Sequence, residues 1–277
     1  MNDRVSVTMD RGVADVRLVR TDKMNALDDA MFAALVETGE ALKADKAVRA
    51  VVLSGEGRAF CAGLDMGSFG QMASGARTRE PPAADAPPRN DGLSSRTHGI
   101  ANRAQYAVWV WREIEVPVIA AVHGVAFGGG FQLALGADIR YVAPDTRMAI
   151  LEIKWGLIPD MAGTQIMRHL AREDVIRELT YTGRIFNGVE AVEYGFATRV
   201  CEDPRADALA LAHEIAGKSP DAIRAGKRLL NAAGVISPAE GLMQETVEQV
   251  ALIGSPNQVE SVMSNLQKRE AAYADPR

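Results

Sequence analysis

A run of three glycines inside an apolar segment constrains this chain more than any other feature. The segment Ala121–Asp138 reads AVHGVAFGGGFQLALGAD and carries a single side-chain amide, Gln132. Glycines between a strand and a helix let a ligand approach the backbone without a Cβ in the way. The helix predicted to begin near Gly130 would direct free N–H groups at that ligand. The pattern indicates a backbone site for an oxygen that becomes negative during a reaction, with a tight packing turn as the alternative.

The same run excludes two common glycine motifs. A dinucleotide fingerprint requires G-x-G-x-x-G, whereas positions 131–135 supply FQLAL, and a phosphate loop requires Gly-Lys where Phe131 follows the glycines. The uncharged stretch Val116–Ala137 is long enough to span a bilayer. Because it contains Pro117 and five glycines, it favours a buried strand, turn and helix instead.

Composition narrows the class of protein further. The 277 residues carry a net charge of −5, with Lys and Arg scattered along the chain, which argues against nucleic acid as a partner. The two cysteines, Cys61 and Cys201, form neither a disulfide framework nor a paired metal motif. We therefore expect a cytoplasmic protein without a metal site.

Strand and helix signals alternate in the first half of the chain. Two short alternating runs joined by Asp-Arg-Gly predict a hairpin, and later β-rich runs are separated by an apolar-striped helix. This order is typical of an α/β fold with parallel pairing. The predicted hairpin strands, helix and later strands are Val5–Met9, Ala14–Arg20, Ala26–Ala44, Val48–Leu53 and Pro117–Val122.

Two other regions differ in character. Gln71–Gly99 is rich in Pro, Ala, Gly and Ser, which predicts an exposed flexible loop, either a lid or a solvated insertion. The last eighty residues have a helical pattern. Ser219, Ser237 and Ser255 each precede a proline, which predicts capped helix starts, and Glu240 would complete a capping box with Ser237.

A second turn of small residues follows a β-rich run at Gly57–Met66, GRAFCAGLDM. Two such turns can supply two backbone donors to one carbonyl oxygen. Here the chain resembles the crotonase (enoyl-CoA hydratase/isomerase) superfamily over nearly its whole length, apart from the Gln71–Gly99 loop. The segments that carry the resemblance are RAFCAGLDM, PVIAAVHGVAFGGGFQLALGADIRY, LEIKWGLIPDMAGTQ and TGRIFNGVEAVEYGFATRV.

This resemblance implies a fold and an assembly. The expected α/β core is a crotonase-like spiral of β-β-α repeats over residues 1–200, with 71–99 as a flexible insertion. A helical C-terminal region, 201–277, would pack on neighbouring subunits in a homotrimer or homohexamer. Neither a membrane nor a nucleic acid is an expected partner.

The resemblance also implies a site for an acyl-CoA thioester. The amides of Leu64 and Gly129 would form an oxyanion hole that polarises the thioester carbonyl and stabilises its enolate. Coenzyme A would arrive as part of the substrate, so no separate cofactor is expected. The residues expected to line the CoA site are Lys23, Arg58, Ala62, Asp65 and Met66.

The acidic residues depart from the hydratase pattern. Hydratases of this family use two glutamates, and the corresponding positions here are Gln132 and Glu152. A carboxamide can orient water but cannot accept its proton. Asp160 lies eight residues after Glu152, where related dienoyl-CoA isomerases have an aspartate, although those enzymes usually also have an acid at the Gln132 position. Two carboxyls in one apolar pocket would have their pKa values driven apart, one serving as base and one as acid.

Three functions remain open at this point. The first is double-bond isomerisation of an unsaturated acyl-CoA, of the kind used in fatty acid metabolism, by Glu152 and Asp160. The second is hydration of a 2-enoyl-CoA (a lyase activity), with Glu152 alone or with Gln132 positioning water. The third is a catalytically weak acyl-CoA-binding protein, against which the retention of both carboxyls speaks.

Overall fold

The computed structural model describes residues 3–73 and 92–276. The central part of the loop predicted at 71–99, residues 74–91, lies outside the described residues. The first three residues of that loop instead end a helix, and residues 92–94 form a turn of 3-10 helix. The prediction of an irregular loop was therefore wrong at these two flanks.

The described strands form one large sheet and one small sheet. The large sheet has the order β1-β2-β3-β4-β6-β8, and the small sheet pairs β5 with β7. The strands are β1 (Val5–Asp10), β2 (Val13–Leu18), β3 (Ala50–Gly55), β4 (Val118–Val122), β5 (Val125–Phe127), β6 (Ile139–Val142), β7 (Arg147–Ala149) and β8 (Arg199–Val200).

Pairing in the large sheet follows the sequence pattern. β1 and β2 are antiparallel, as the predicted hairpin requires, and the later neighbours pair in parallel. Both β3 and β4 are buried along their whole length, which explains their continuous apolar sequences. β3 begins at Ala50, two residues later than predicted, and β4 begins at Val118, one residue later.

The small sheet brings distant segments together. Single bridges extend it from β5 to Cys61, through the pair Cys61–Ala126, and from β7 to Phe186, through Met148. A further parallel bridge joins Leu27 to Leu64. Because Cys61 and Leu64 belong to the second turn and β5 leads into the glycine run, this sheet sets the two turns side by side.

Helices cover both faces of the large sheet. They are α1 (Asp29–Ala44), α2 (Met66–Ala73), α3 (Arg103–Glu113), α4 (Gly129–Leu135), α5 (Gly163–Met167), α6 (Glu173–Thr182), α7 (Gly188–Tyr194), α8 (Pro204–Ala216), α9 (Pro220–Ala233), α10 (Pro238–Leu252) and α11 (Pro256–Gln267). Within the described residues, no helix is long and apolar enough to cross a membrane.

The helix starts confirm most of the predicted caps. Ser237 forms the expected capping box with Glu240, and the side chain of Ser255 caps α11. Ser219 occupies the N-cap position before Pro220, as predicted, but the expected capping bond from its side chain is not formed. The first helix begins at Asp29 and not at Ala26, because the Asp28 carboxylate accepts from the amide of Met31 and closes the helix there.

The core lies in two layers. The larger cluster fills the space under α1, α3 and α4, and a smaller one lies where α8 packs against β2, β3, β4 and β6. The tail helix α9 is attached by a buried charge. The ammonium of Lys227 lies 2.7 Å from Asp138 Oδ2 and 2.9 Å from the carbonyl oxygen of Val116.

Replacing Phe131 with alanine is expected to lower the free energy of unfolding by about 3–5 kcal/mol. The ring is fully buried and packs edge-on against Phe186 and Phe196, with centroids 5.7 and 5.3 Å away. Urea unfolding followed by circular dichroism measures the change. Ile100, which is 78% exposed, supplies the control, since Ile100→Ala removes little buried surface. Equal losses in the two variants would contradict this account.

Candidate active site

The glycine turn, Phe127–Gly130, connects β5 to α4 in a conformation that requires glycine. Gly128 has φ +50° and ψ −117°, and its amide donates to the carbonyl of Ala149, 3.0 Å away. A β-carbon at Gly130 would lie 2.2 Å from the carbonyl oxygen of Cys61. The backbone of the glycine turn therefore packs directly on the backbone of the second turn.

The second turn, Gly57–Met66, is fitted to the first through Gly63. This residue has φ +88°, and a β-carbon on it would lie 2.5 Å from the carbonyl oxygen of Phe127 and 3.7 Å from the amide nitrogen of Gly129. No side chain fits between the two backbones here. The sequence predicts two converging turns, and in the structure the two turns are in contact.

Two backbone amides at this junction lack an acceptor among the described residues. Leu27 donates to Gly63 O at 2.8 Å and accepts from Asp65 N at 3.0 Å, so the intervening amide of Leu64 points away from Leu27. Gly129 is the first residue of α4 and has no acceptor earlier in the helix. Among the residues that the structure describes, neither the Leu64 amide nor the Gly129 amide donates to a backbone or side-chain acceptor.

Glu152 lies against the glycine turn. It opens the 3-10 helix Glu152–Trp155, and a β-carbon on Gly128 would lie 3.3 Å from its Oε1. Oε1 accepts a 2.6 Å hydrogen bond from Gln132 Nε2, whereas Oε2 is buried with no hydrogen-bond partner among the described residues. Burial raises the pKa of Glu152, and the negative charge of Asp160 adds to the rise. The backbone amides of Glu152 and Leu151 and the hydrogen bond from Gln132 act in the opposite direction.

Gln132 is fully engaged by its surroundings. It is 1% exposed on α4, and its Oε1 accepts from the amides of Met161 (2.9 Å) and Gly163 (3.0 Å) while its Nε2 holds Glu152. Ala162, between the two donors, has φ +66°, a strained value for a residue with a side chain. The side chain therefore ties α4, the 161–163 turn and Glu152 together.

Asp160 lies beside this group. It stands between the buried residues Pro159 and Met161, and the residue as a whole is exposed. Its carboxyl nevertheless loses enough solvent to the surrounding protein that the pKa of Asp160 is raised. Its charge is among the causes that raise the pKa of Glu152, so the two carboxyls interact electrostatically.

The residues predicted to line the CoA site differ in their exposure and contacts. Lys23 and Arg58 are exposed, Met66 is 64% exposed, and the amide of Ala62 donates to Met24 O at 2.9 Å. The carboxylate of Asp65 faces the protein, with contacts of 2.7 Å to Arg20 Nη1 and 2.7 Å to the amide of Gly67. Their role in CoA binding stays a prediction.

Asp65 also holds the second turn through a long-range contact that the sequence does not indicate. The hydrogen bond from Gly67 and the Arg20 guanidinium lower the pKa of Asp65, so this pair is ionic and fixes the turn that carries Leu64. The side-chain amide of Asn25 also stabilises this turn, since its Nδ2 donates to Ala59 O at 2.8 Å. Arg20 and Asp65 are 45 positions apart, so no local pattern indicates the contact.

The environment of Cys61 does not favour a reactive thiol. Its thiol is buried and donates to Asn25 O at 3.1 Å, and burial raises the pKa of the Cys61 thiol to about 12. A thiol that remains protonated is a poor nucleophile. Within the described residues, no cluster of three or more His, Cys, Asp or Glu side chains is arranged to hold a metal ion.

Residues 13–276 match the family model described as enoyl-CoA hydratase/isomerase. The chain belongs to this family. It is 30% identical over 262 residues to a mitochondrial Delta(3,5)-Delta(2,4)-dienoyl-CoA isomerase of Mus musculus, covering 93% of this chain and 77% of that protein. It is also 29% identical over 270 residues to a mitochondrial methylglutaconyl-CoA hydratase of Mus musculus, covering 95% and 80%.

Solved structures of family members share the fold. An enoyl-CoA hydratase from Bacillus anthracis superposes with a TM-score of 0.85 at 26% identity, over 99% of this chain and 100% of that one. A putative enoyl-CoA hydratase from Streptomyces coelicolor gives 0.84 at 30% identity, over 100% and 96%. The expected crotonase fold is thus confirmed, and this family member is an enzyme of the hydratase or isomerase type.

Proposed function

We propose that this enzyme moves a double bond along an unsaturated acyl-CoA thioester. Glu152 and Asp160 transfer the proton, while the amides of Leu64 and Gly129 hold the thioester oxygen. The observation that carries the proposal is Glu152 Oε2, which is buried beside the glycine turn and has no hydrogen-bond partner among the described residues. A carboxylate whose pKa is raised is a stronger base than one in water.

The proposed reaction needs no external reagent. Glu152 Oε2 takes a proton from the carbon next to the thioester carbonyl, so that a C–H bond breaks and an O–H bond forms. The electron pair moves into the conjugated system and places negative charge on the thioester oxygen, where one backbone donor contributes about 3–4 kcal/mol. In the reactive form the pair of carboxyls carries one negative charge, on Glu152, and Asp160 holds a proton, which it then gives to the far carbon of the system. Exchange with solvent resets the two carboxyls.

The state of Gln132 favours isomerisation over hydration. Two-glutamate hydration needs a second base to take a proton from water, and a carboxamide cannot accept it. The oxygen of Gln132 already accepts from the amides of Met161 and Gly163. Sequence identity does not separate the two reactions, because the similarities to the isomerase and to the hydratase are nearly equal.

Hydration of a 2-enoyl-CoA is the second candidate, favoured by the similarity to methylglutaconyl-CoA hydratase. A panel of enoyl- and dienoyl-CoA esters, followed by mass spectrometry and ultraviolet absorbance, separates the two. Isomerisation shifts the absorbance at constant mass, whereas hydration adds one water. Hydration of crotonyl-CoA at ordinary enzyme rates, of about 1–10³ per second, would replace the isomerase proposal.

Replacing Asp160 with asparagine is expected to lower kcat for dienoyl-CoA isomerisation by about 10²-fold or more, with little change in KM. The amide cannot give or take the proton at the far carbon. Asp145→Asn, at an exposed residue between β6 and β7, is the matched control. Initial rates at 25 °C measure the effect. An unchanged isomerisation rate in Asp160→Asn would show that Asp160 is a residue of the turn and does not transfer the proton.

We also infer a homotrimer or homohexamer in which the tail helices meet neighbouring subunits. An apolar surface on α10 and α11 supports this assembly, since its members are more than 60% exposed: Leu242, Met243, Val247, Val250 and Leu266. Light scattering coupled to gel filtration gives the mass of the assembly. A monomer at micromolar concentration would contradict the inference.

A reducing compartment such as the cytoplasm is the proposed location. Cys61 and Cys201 are both free thiols, which accords with such an environment.

A further inference from the structure

Glu152 has two oxygens with opposite surroundings. Oε1 is held by Gln132 Nε2 at 2.6 Å, and Oε2 is buried without a partner among the described residues. A free carboxylate group would exchange these two oxygens by rotation about its last bond. The hydrogen bond from Gln132 therefore decides which oxygen is occupied and which is left for a substrate proton.

The position of the Gln132 amide is itself fixed. Met161 and Gly163 both donate to Gln132 Oε1, so the amide cannot flip without placing its NH₂ group against two N–H donors. A β-carbon on Gly163 would lie 2.6 Å from Gln132 Oε1, which explains the glycine at this position. The strained Ala162, at φ +66°, directs both donors to one point.

We propose that Gln132 is a positioning residue that holds Oε1 of Glu152 and leaves Oε2 as its one proton acceptor. This inference rests on the proposed role of Glu152 as the base. Gln132 does not exchange a proton with the substrate or with water. It acts through Glu152, and its presence keeps a second base out of the site.

The charged groups on the segments around Glu152 determine how a change in its pKa can be interpreted. Asp160, from the 159–161 segment, raises the pKa of Glu152. Lys154 lies on the 3-10 helix that Glu152 opens, and its ammonium is over the ring of Trp155, 5.5 Å from the centroid. Helix α6 packs on this 3-10 helix. The charged residues on and beside α6 form ion pairs with one another: Arg172 with Asp174, Arg177 with Glu173, and Arg184 with Glu178.

The test is the variant Gln132→Met, compared with Gln165→Met on the exposed side of α5. Without the donor, the ionised form of Glu152 loses stabilisation. The low-pH limb of kcat/KM should therefore move to higher pH, and kcat should fall on the order of 10- to 100-fold at unchanged KM. Gln165→Met should show neither change. A Gln132→Met enzyme with the wild-type pH profile and kcat would overturn the proposal.

A second measurement does not depend on turnover. The C=O stretch of protonated Glu152, assigned in the infrared spectrum by its loss in Glu152→Gln, reports the pKa of this carboxyl without substrate. An upward shift of this titration in Gln132→Met supports the positioning role whether or not the enzyme isomerises an acyl-CoA. A lack of isomerisation would overturn only the proposed function. Isomerase activity together with an unmoved titration would overturn only the positioning role.

A third variant covers the case in which Gln132→Met fails to fold. Gln132→Glu keeps an acceptor oxygen for Met161 and Gly163 but places a carboxylate against Glu152. The two carboxyls should then share one proton and titrate as a coupled pair, with the infrared titration spread over a wider pH range. A Glu152 titration identical to that of the wild type would show that position 132 does not contact this carboxyl in solution.

Discussion

Replacing Glu152 with glutamine is expected to lower kcat on the order of a thousandfold while affinity for the acyl-CoA ester persists. Oε2 is the one oxygen of this carboxyl without a hydrogen-bond partner among the described residues, and an amide in its place has no basic atom. The amide oxygen can still accept from Gln132 Nε2, so the local structure has no reason to change. Single-turnover rates and calorimetric titration with a non-reacting CoA thioester separate chemistry from binding.

The same substitution is expected to leave the protein as stable as before, or more stable, above neutral pH. Folding raises the pKa of Glu152 by burial, so the native state binds its proton more tightly than the unfolded chain. Stability then falls as pH rises from the unfolded pKa through the folded pKa, and an amide avoids that loss. A higher melting temperature of Glu152→Gln at pH 8, with the difference vanishing near pH 4, is the expected signature.

Glu193→Gln is the matched control, because Glu193 is exposed on α7 and remote from the glycine turn. It should change neither kcat nor the melting temperature. If Glu152→Gln retains wild-type turnover, Glu152 is not the base, and a search for the proton acceptor would move to Asp160.

Local patterns predicted those parts of the fold that depend on neighbouring residues. The hairpin of β1 and β2, the capping box at Ser237 and the glycine turn each arise from side chains within a few positions. The start of α1 was placed too early because the apolar stripe continues backwards through Ala26 and Leu27. The stripe contains no sign that Met24 and Asn25 adopt positive φ, at 49° and 55°.

The site was predictable only where the resemblance supplied the positions. The positions of Glu152, Leu64 and Gly129 were predicted from segments that resemble the family, whereas the contacts that hold the site together are long-range. Gln132 receives its two amide bonds from positions 29 and 31 residues away. Such contacts depend on how α4 packs against the 161–163 turn, which periodicity along the chain does not encode.

Gly63→Ala is expected to lower kcat/KM by about 10²–10³-fold, the loss typical of one missing oxyanion donor. The new methyl group would lie 2.5 Å from the carbonyl oxygen of Phe127, so the second turn must move away from the glycine turn. Since Leu64 follows directly, its amide would leave the position from which it and the Gly129 amide can reach one oxygen. The left-handed φ of +88° adds roughly 1–3 kcal/mol of strain.

The control is Gly226→Ala on α9, where a β-carbon meets no atom within 4 Å. In a helix interior this change should stabilise the protein by about 1 kcal/mol and leave catalysis intact. Because Gly63→Ala also lowers stability, kcat/KM is measured well below its melting temperature, with the folded fraction fixed by circular dichroism. The proposed donor pair requires that the two turns stay in contact during catalysis. A folded Gly63→Ala enzyme with undiminished kcat/KM would therefore show that the amides of Leu64 and Gly129 do not hold the oxygen together.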